Sequence, residues 1–118
     1  MRVLAFEDSY DIERLLDSGG VDIGAIEILQ HWDTKSAVQR IRTYAPDILL
    51  LDHYIPPNKG LEVLRALNTA VQAGELDRPT TIVGMSSASM ANRKMSNEGA
   101  DHSIVKFDLA NLEFWPRR

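Results

Sequence analysis

Apolar positions along the chain fall into five short runs separated by amphipathic stretches. The runs are residues 2–6 (RVLAF), 25–30 (AIEILQ), 47–52 (DILLLD), 80–85 (TTIVGM) and 102–107 (HSIVKF). They are short and rich in Val, Ile and Leu, which predicts strands. The stretches between them have helical spacing. Ile12, Leu15 and Leu16 share one face, with Ser9 as the cap candidate and Gly19-Gly20 as the stop. Val38, Ile41 and Ala45 share the next face, opened by Thr34 and closed by Pro46. Leu61, Leu64, Leu67 and Val71 line a third helix that ends before Gly74. A shorter helix runs from Ser87 towards Gly99, and residues 108–114 form a final turn or two.

Strands that alternate with crossover helices predict a parallel sheet covered on both faces. Fully buried parallel strands read as unbroken apolar runs, as in Ile48–Leu51. Ligands of such sheets bind outside the C-terminal ends of the strands. At those ends stand Glu7 and Asp8, Asp52, Ser86 and Ser87, and Lys106, with Lys106 on the last strand. Each acid alone could be a helix cap. Three carboxylates on one rim raise one another's pKa unless a cation sits among them, and a hard divalent ion takes oxygen ligands of this kind.

Composition narrows the classes. The 118 residues amount to one domain and can bury a core without staples. Without cysteine there is no disulfide, thiolate metal site or thiol nucleophile. A formal charge of -4 argues against direct nucleic-acid binding and favours cations. No apolar run is long enough to span a membrane, and the first ten residues lack the apolar core of a secretion signal, so the expected location is cytoplasmic.

Five features in order resemble the receiver domain of two-component response regulators: Glu7-Asp8 after the first strand; Asp52 after the third; Pro56 and Gly60, four and eight residues beyond Asp52; Ser86 after the fourth; and Lys106, seven residues after Gly99 in GADHSIVK. The resemblance spans roughly residues 2 to 110. It implies an α/β fold, a doubly wound five-stranded parallel sheet of the flavodoxin-like order 2-1-3-4-5, with one receiver domain over residues 1–118. It implies Asp52 as phosphoacceptor, with Lys106 and Ser86 holding the phosphoryl oxygens. It implies Mg²⁺ (Mn²⁺ as substitute) held by Asp8, Asp52, the backbone carbonyl of Tyr54 and, through water, Glu7. The partners implied are a histidine kinase or phosphotransfer protein and a downstream protein target, with homodimerisation open. The protein would not be an enzyme beyond its own phosphorylation and dephosphorylation. With no room for an output domain, it is expected to stand alone in a phosphorelay and to signal by a surface change.

The sequence also departs from the family pattern. Ser103 stands where receivers carry an aromatic, Phe107 where many carry a proline, and only twelve residues follow Lys106. The peptide bond before Phe107 is expected to be trans, the last helix short or missing, and LEFWPRR packed on the sheet. The departures support an alternative, an interaction module of the same fold that does not use phosphorylation. Phosphatases of the haloacid dehalogenase type, Toprim domains and flavodoxins are disfavoured, because Glu7-Asp8-Ser9, Asp52-His53-Tyr54 and the acidic first loop lack their motifs. His53 is expected on a loop surface, Phe6 and Trp32 in or near the core, Met85, Met90 and Met95 as core filler, and residues 92–94 as a solvated helix face.

Overall fold

The computed structural model describes all 118 residues, Met1–Arg118. Five strands form one parallel sheet: β1 (Arg2–Phe6), β2 (Glu27–His31), β3 (Ile48–Leu51), β4 (Thr81–Met85) and β5 (His102–Ile104). Their spatial order is β2-β1-β3-β4-β5, and every pair is parallel. Four helices connect them: α1 (Ile12–Ser18), α2 (Ala37–Tyr44), α3 (Gly60–Gln72) and α4 (Ser89–Asn97). This is the doubly wound, flavodoxin-like arrangement expected. No helix is long and apolar enough to cross a membrane.

The two-residue period of a strand divides the apolar residues between two cores. Leu4, Phe6, Leu49 and Leu51 point to one face, where they meet Ile41, Leu64, Leu67 and Met95 of α2, α3 and α4. Val3, Ala5, Leu50 and Val83 point to the other, where they meet Ile12 and Leu16 of α1. That second face also takes Leu109, Ala110 and Trp115. Residues Lys106–Asn111 form a 3₁₀ segment where a fifth helix would run, so the last helix is missing. The tail locks down with Trp115 buried, its Nε1 donating to the Leu109 carbonyl at 2.9 Å, and with an antiparallel bridge between Val21 and Arg117. LEFWPRR is therefore packed, as expected.

Several local expectations are corrected. The first helix is capped by Asp11, whose side chain accepts from the Arg14 amide, and not by Ser9. Thr34 does not cap α2. It is buried, and its hydroxyl exchanges hydrogen bonds with the backbone of Asn58 at 2.7 and 2.8 Å. Ala45 is the exposed C-cap of α2 at φ 51°, outside the buried face formed by Ala37 and Ile41. β5 stops at Ile104, so Lys106 opens the 3₁₀ segment and does not lie on the strand. Trp32 and Met90 are exposed, whereas Phe6, Met85 and Met95 are core. The peptide bond before Phe107 is trans; the cis bond lies between Pro56 and Pro57.

Candidate functional site

The backbone ladder continues one residue past the strands and fixes the site residues in register. Glu7 donates its amide to His31 at 3.1 Å, Asp52 to Phe6 at 3.0 Å, and Ser86 to Ile104 at 3.2 Å. Each site side chain therefore leaves from rigid sheet backbone. Gly60 completes the frame for a steric reason. A Cβ there would lie 2.2 Å from the Asp52 carbonyl oxygen and 2.6 Å from Met95 Cε. The glycine eight residues beyond Asp52 lets α3 start against the strand end.

Carboxylate oxygens of Glu7, Asp8 and Asp52 lie within 4.8 Å of one another. Glu7 and Asp52 are buried and Asp8 half-buried. Lys106 Nζ lies 2.7 Å from Glu7 Oε2 and 3.8 Å from Asp52 Oδ2, itself nearly buried. Burial pushes the Glu7 carboxyl up to about 7; the neighbouring Lys106 works against that rise and Asp52 adds to it. Glu7 Oε1 is buried with no protein partner. An orphaned carboxylate oxygen beside two further carboxylates suits a hard cation and its waters. The donor set thus fits Mg²⁺. Tyr54, whose carbonyl is the fourth expected ligand, has an exposed ring packed edge-on against His53 at 4.7 Å between centroids.

Ser86 is buried at the end of β4, and its hydroxyl oxygen accepts from the Ala88 amide at 3.1 Å. That leaves the hydroxyl proton free to donate. Lys106 lies under the Tyr10 ring, 5.1 Å from its centroid, and Phe107 packs edge-on against Tyr10 at 5.2 Å. The structure thus gathers Glu7, Asp8, Asp52 and Lys106 directly, with Ser86 at the adjoining strand end.

Three supporting residues escape sequence reading. Gln30 donates to the carbonyls of Glu7 and Tyr10 at 2.9 and 2.8 Å and accepts from Ile12, so it holds the acidic loop. His53 is buried, not on the surface, and its Nδ1 accepts from the Leu61 amide at 3.4 Å at the start of α3. Asn92 is buried, not solvated, with its side chain bonded to Ser86 and Ile104. Its position three residues before Met95 and four after Ala88 is the available signal, since that is the inner face of α4.

No protein-family model and no curated protein matches the chain. Solved structures do match. The BeF₃-activated N-terminal receiver domain of Klebsiella pneumoniae RstA aligns with a TM-score of 0.70 at 21% identity, covering 90% of this chain and 86% of that one. The signal receiver domain of a Luxo repressor protein from Vibrio parahaemolyticus gives 0.69 at 22%, covering 95% and 93%. A mutant receiver domain of the Arabidopsis thaliana histidine kinase CKI1 gives 0.69 at 21%, covering 94% and 85%. The fold of this chain is the receiver fold.

Proposed function

We propose that residues 1–118 act as a single receiver domain, phosphorylated on Asp52, and pass a signal to a protein partner in a two-component phosphorelay in the cytoplasm. The observation that carries this reading is the Glu7–Asp8–Asp52 cluster, with Glu7 and Asp52 buried and Lys106 Nζ at 2.7 and 3.8 Å from those two members. A salt bridge alone would not need three acids to one ammonium at a strand rim. A cation-dependent phosphoryl acceptor does.

One Asp52 Oδ attacks the phosphorus of the donor. The new P–O bond forms as the bond to the leaving group breaks, and the leaving group departs with that electron pair. Phosphoryl transfer asks the protein chiefly for position and charge compensation. β3 holds Asp52 still at a rigid rim. Lys106 offsets charge on the transferred oxygens, and Ser86 donates its hydroxyl proton to one of them. Mg²⁺, when bound by Asp8, Asp52, the Tyr54 carbonyl and, through water, Glu7, would neutralise charge shared by acceptor and phosphoryl group. Hydrolysis reverses the state: water attacks phosphorus, and the carboxylate leaves from it. The donors are a histidine kinase, a phosphotransfer protein or a small acyl phosphate. The phosphoryl group biases conformations already in the ensemble, and a partner reads the shifted surface.

Borohydride reduction tests the assignment. After treatment with a small phosphodonor and Mg²⁺, an acyl phosphate at Asp52 is reduced to homoserine, which peptide mass analysis locates. Conversion at Asp52 alone is expected; conversion at Asp8 or at no residue would overturn the assignment.

A further inference from the structure

Asn92 lies on the inner face of α4, buried behind the site. Its Nδ2 donates to the Ser86 carbonyl at 2.9 Å and to the Ile104 carbonyl at 3.0 Å. The Ser86 amide donates to the same Ile104 carbonyl at 3.2 Å. One side-chain amide therefore ties together the end of β4, the end of β5 and α4. Its Oδ1 is buried without a partner. An unused acceptor in a dry position costs stability, and a small apolar residue beside Ala91 and Met95 would avoid that cost. Core packing thus does not account for an amide here, whereas the two carbonyls it grips do.

Those carbonyls belong to functionally placed segments. Ser86 carries the hydroxyl, and Ile104 stands two residues before Lys106. The clamp fixes the spacing of the two strand ends from which hydroxyl and ammonium project. A second tie joins the same elements at the surface, where the hydroxyls of Ser96 and Ser103 meet at 2.7 Å. Ser103 is thus engaged with α4 at the position where the sequence lacks the aromatic of related domains. A displacement of Ser86 pulls its carbonyl against Nδ2, and so pulls on α4.

We infer that Asn92 is a positioning residue: it holds Ser86 and Lys106 at the spacing that grips a phosphoryl group on Asp52, and it transmits their displacement to α4. The inference rests on the reading of Asp52 as phosphoacceptor. It differs from a structural role in one respect. The acids that fit the cation come from β1 and β3, so Asn92 bears on the phosphoryl grip and not on the metal.

The experiment measures Mg²⁺ affinity, beryllofluoride affinity in saturating Mg²⁺, and amide exchange over 86–97, for wild type, Asn92→Ala and Asn92→Gln. Beryllofluoride serves as the mimic of the aspartyl phosphate. In Asn92→Ala, loss of two neutral hydrogen bonds is expected to weaken beryllofluoride about tenfold, with Mg²⁺ affinity unchanged. The glutamine variant, which keeps the donor, is expected to recover part of the loss. In wild type, beryllofluoride should alter exchange across Ser89–Asn97, and in Asn92→Ala this response should vanish even at saturation. Equal beryllofluoride affinity in Asn92→Ala and wild type, or equal weakening of both ligands, would overturn the inference. If the alanine variant does not fold, the wild-type exchange decides alone: no change in α4 on binding overturns the inference. A wild type that binds Mg²⁺ but no beryllofluoride would overturn the phosphoacceptor reading itself, and this inference with it.

Discussion

At the scale of single residues, Glu7 is the most informative. Its carboxyl is fully buried, and its pKa rises from 4.5 to about 7, mainly through burial. An acid with a higher pKa in the folded state binds more protons folded than unfolded, so stability falls as pH rises across that interval. In the presence of chelator, the Glu7 contribution should decline between pH 4.5 and about 7 by up to about 3 kcal/mol, then level off. Urea unfolding of wild type and Glu7→Gln at pH 5, 6, 7 and 8 checks this. The glutamine variant should lack that part of the slope, and identical slopes would contradict it. A bound divalent cation should favour the ionised Glu7, so Mg²⁺ affinity should rise with pH over the same range. The acids, Ser86 and Lys106 are legible in sequence because polar and charged residues stand directly after, or within, apolar runs. Asn92, Gln30 and His53 are not, because their roles come from partners 12, 23 and 8 residues away, as Asn92–Ile104, Gln30–Glu7 and His53–Leu61 show.

At the scale of elements, β1 to β4 are legible to within about two residues, since strands of a parallel sheet read as short apolar runs. β5 is over-extended in sequence because Val105 and Phe107 continue the apolar pattern while being exposed. Caps are less legible. Ser9 and Thr34 have the right chemistry for a cap, but Asp11 reaches the Arg14 amide and Thr34 is taken by Asn58. The helix start at Gly60 carries a prediction. Its spacing suggests a turn requirement, but the constraint is the Asp52 carbonyl oxygen, 2.2 Å from where a Cβ would sit. Backbone cannot yield there as a side-chain tip can. Gly60→Ala should cost about 3 kcal/mol in chemical denaturation and should also slow phosphoryl uptake by shifting the acceptor strand end. Wild-type stability in this variant would contradict the steric account.

At the scale of the molecule, the two cores follow from the alternation of residues on each strand, whereas the sheet order is legible only through the resemblance to receiver domains. The tail replaces a fifth helix with a 3₁₀ turn and a buried tryptophan. α1 and that turn approach closely at Gly19, where a Cβ would lie 2.2 Å from Ala110 Cβ. Trp115 seals the same face, so Trp115→Ala should destabilise the fold by about 3–5 kcal/mol. Thermal unfolding measures the loss. Mg²⁺ binding, if the fold survives, should persist, because the acid cluster stands at the opposite ends of the strands. A variant as stable as wild type would show that the tail only rests on the sheet. Fold and proposed site therefore separate: the tail secures one face, and the acid cluster stands at the strand ends.

Everything proposed for the strand ends turns on whether Asp52 accepts a phosphoryl group in a cation-dependent reaction. Intact mass tests it most directly, with wild type and Asp52→Asn incubated side by side with a small phosphodonor, with Mg²⁺ or with chelator. One phosphoryl adduct on wild type in Mg²⁺, absent with chelator and absent in Asp52→Asn, is the predicted result. An adduct that persists in Asp52→Asn, or a wild type that takes up none, would contradict it.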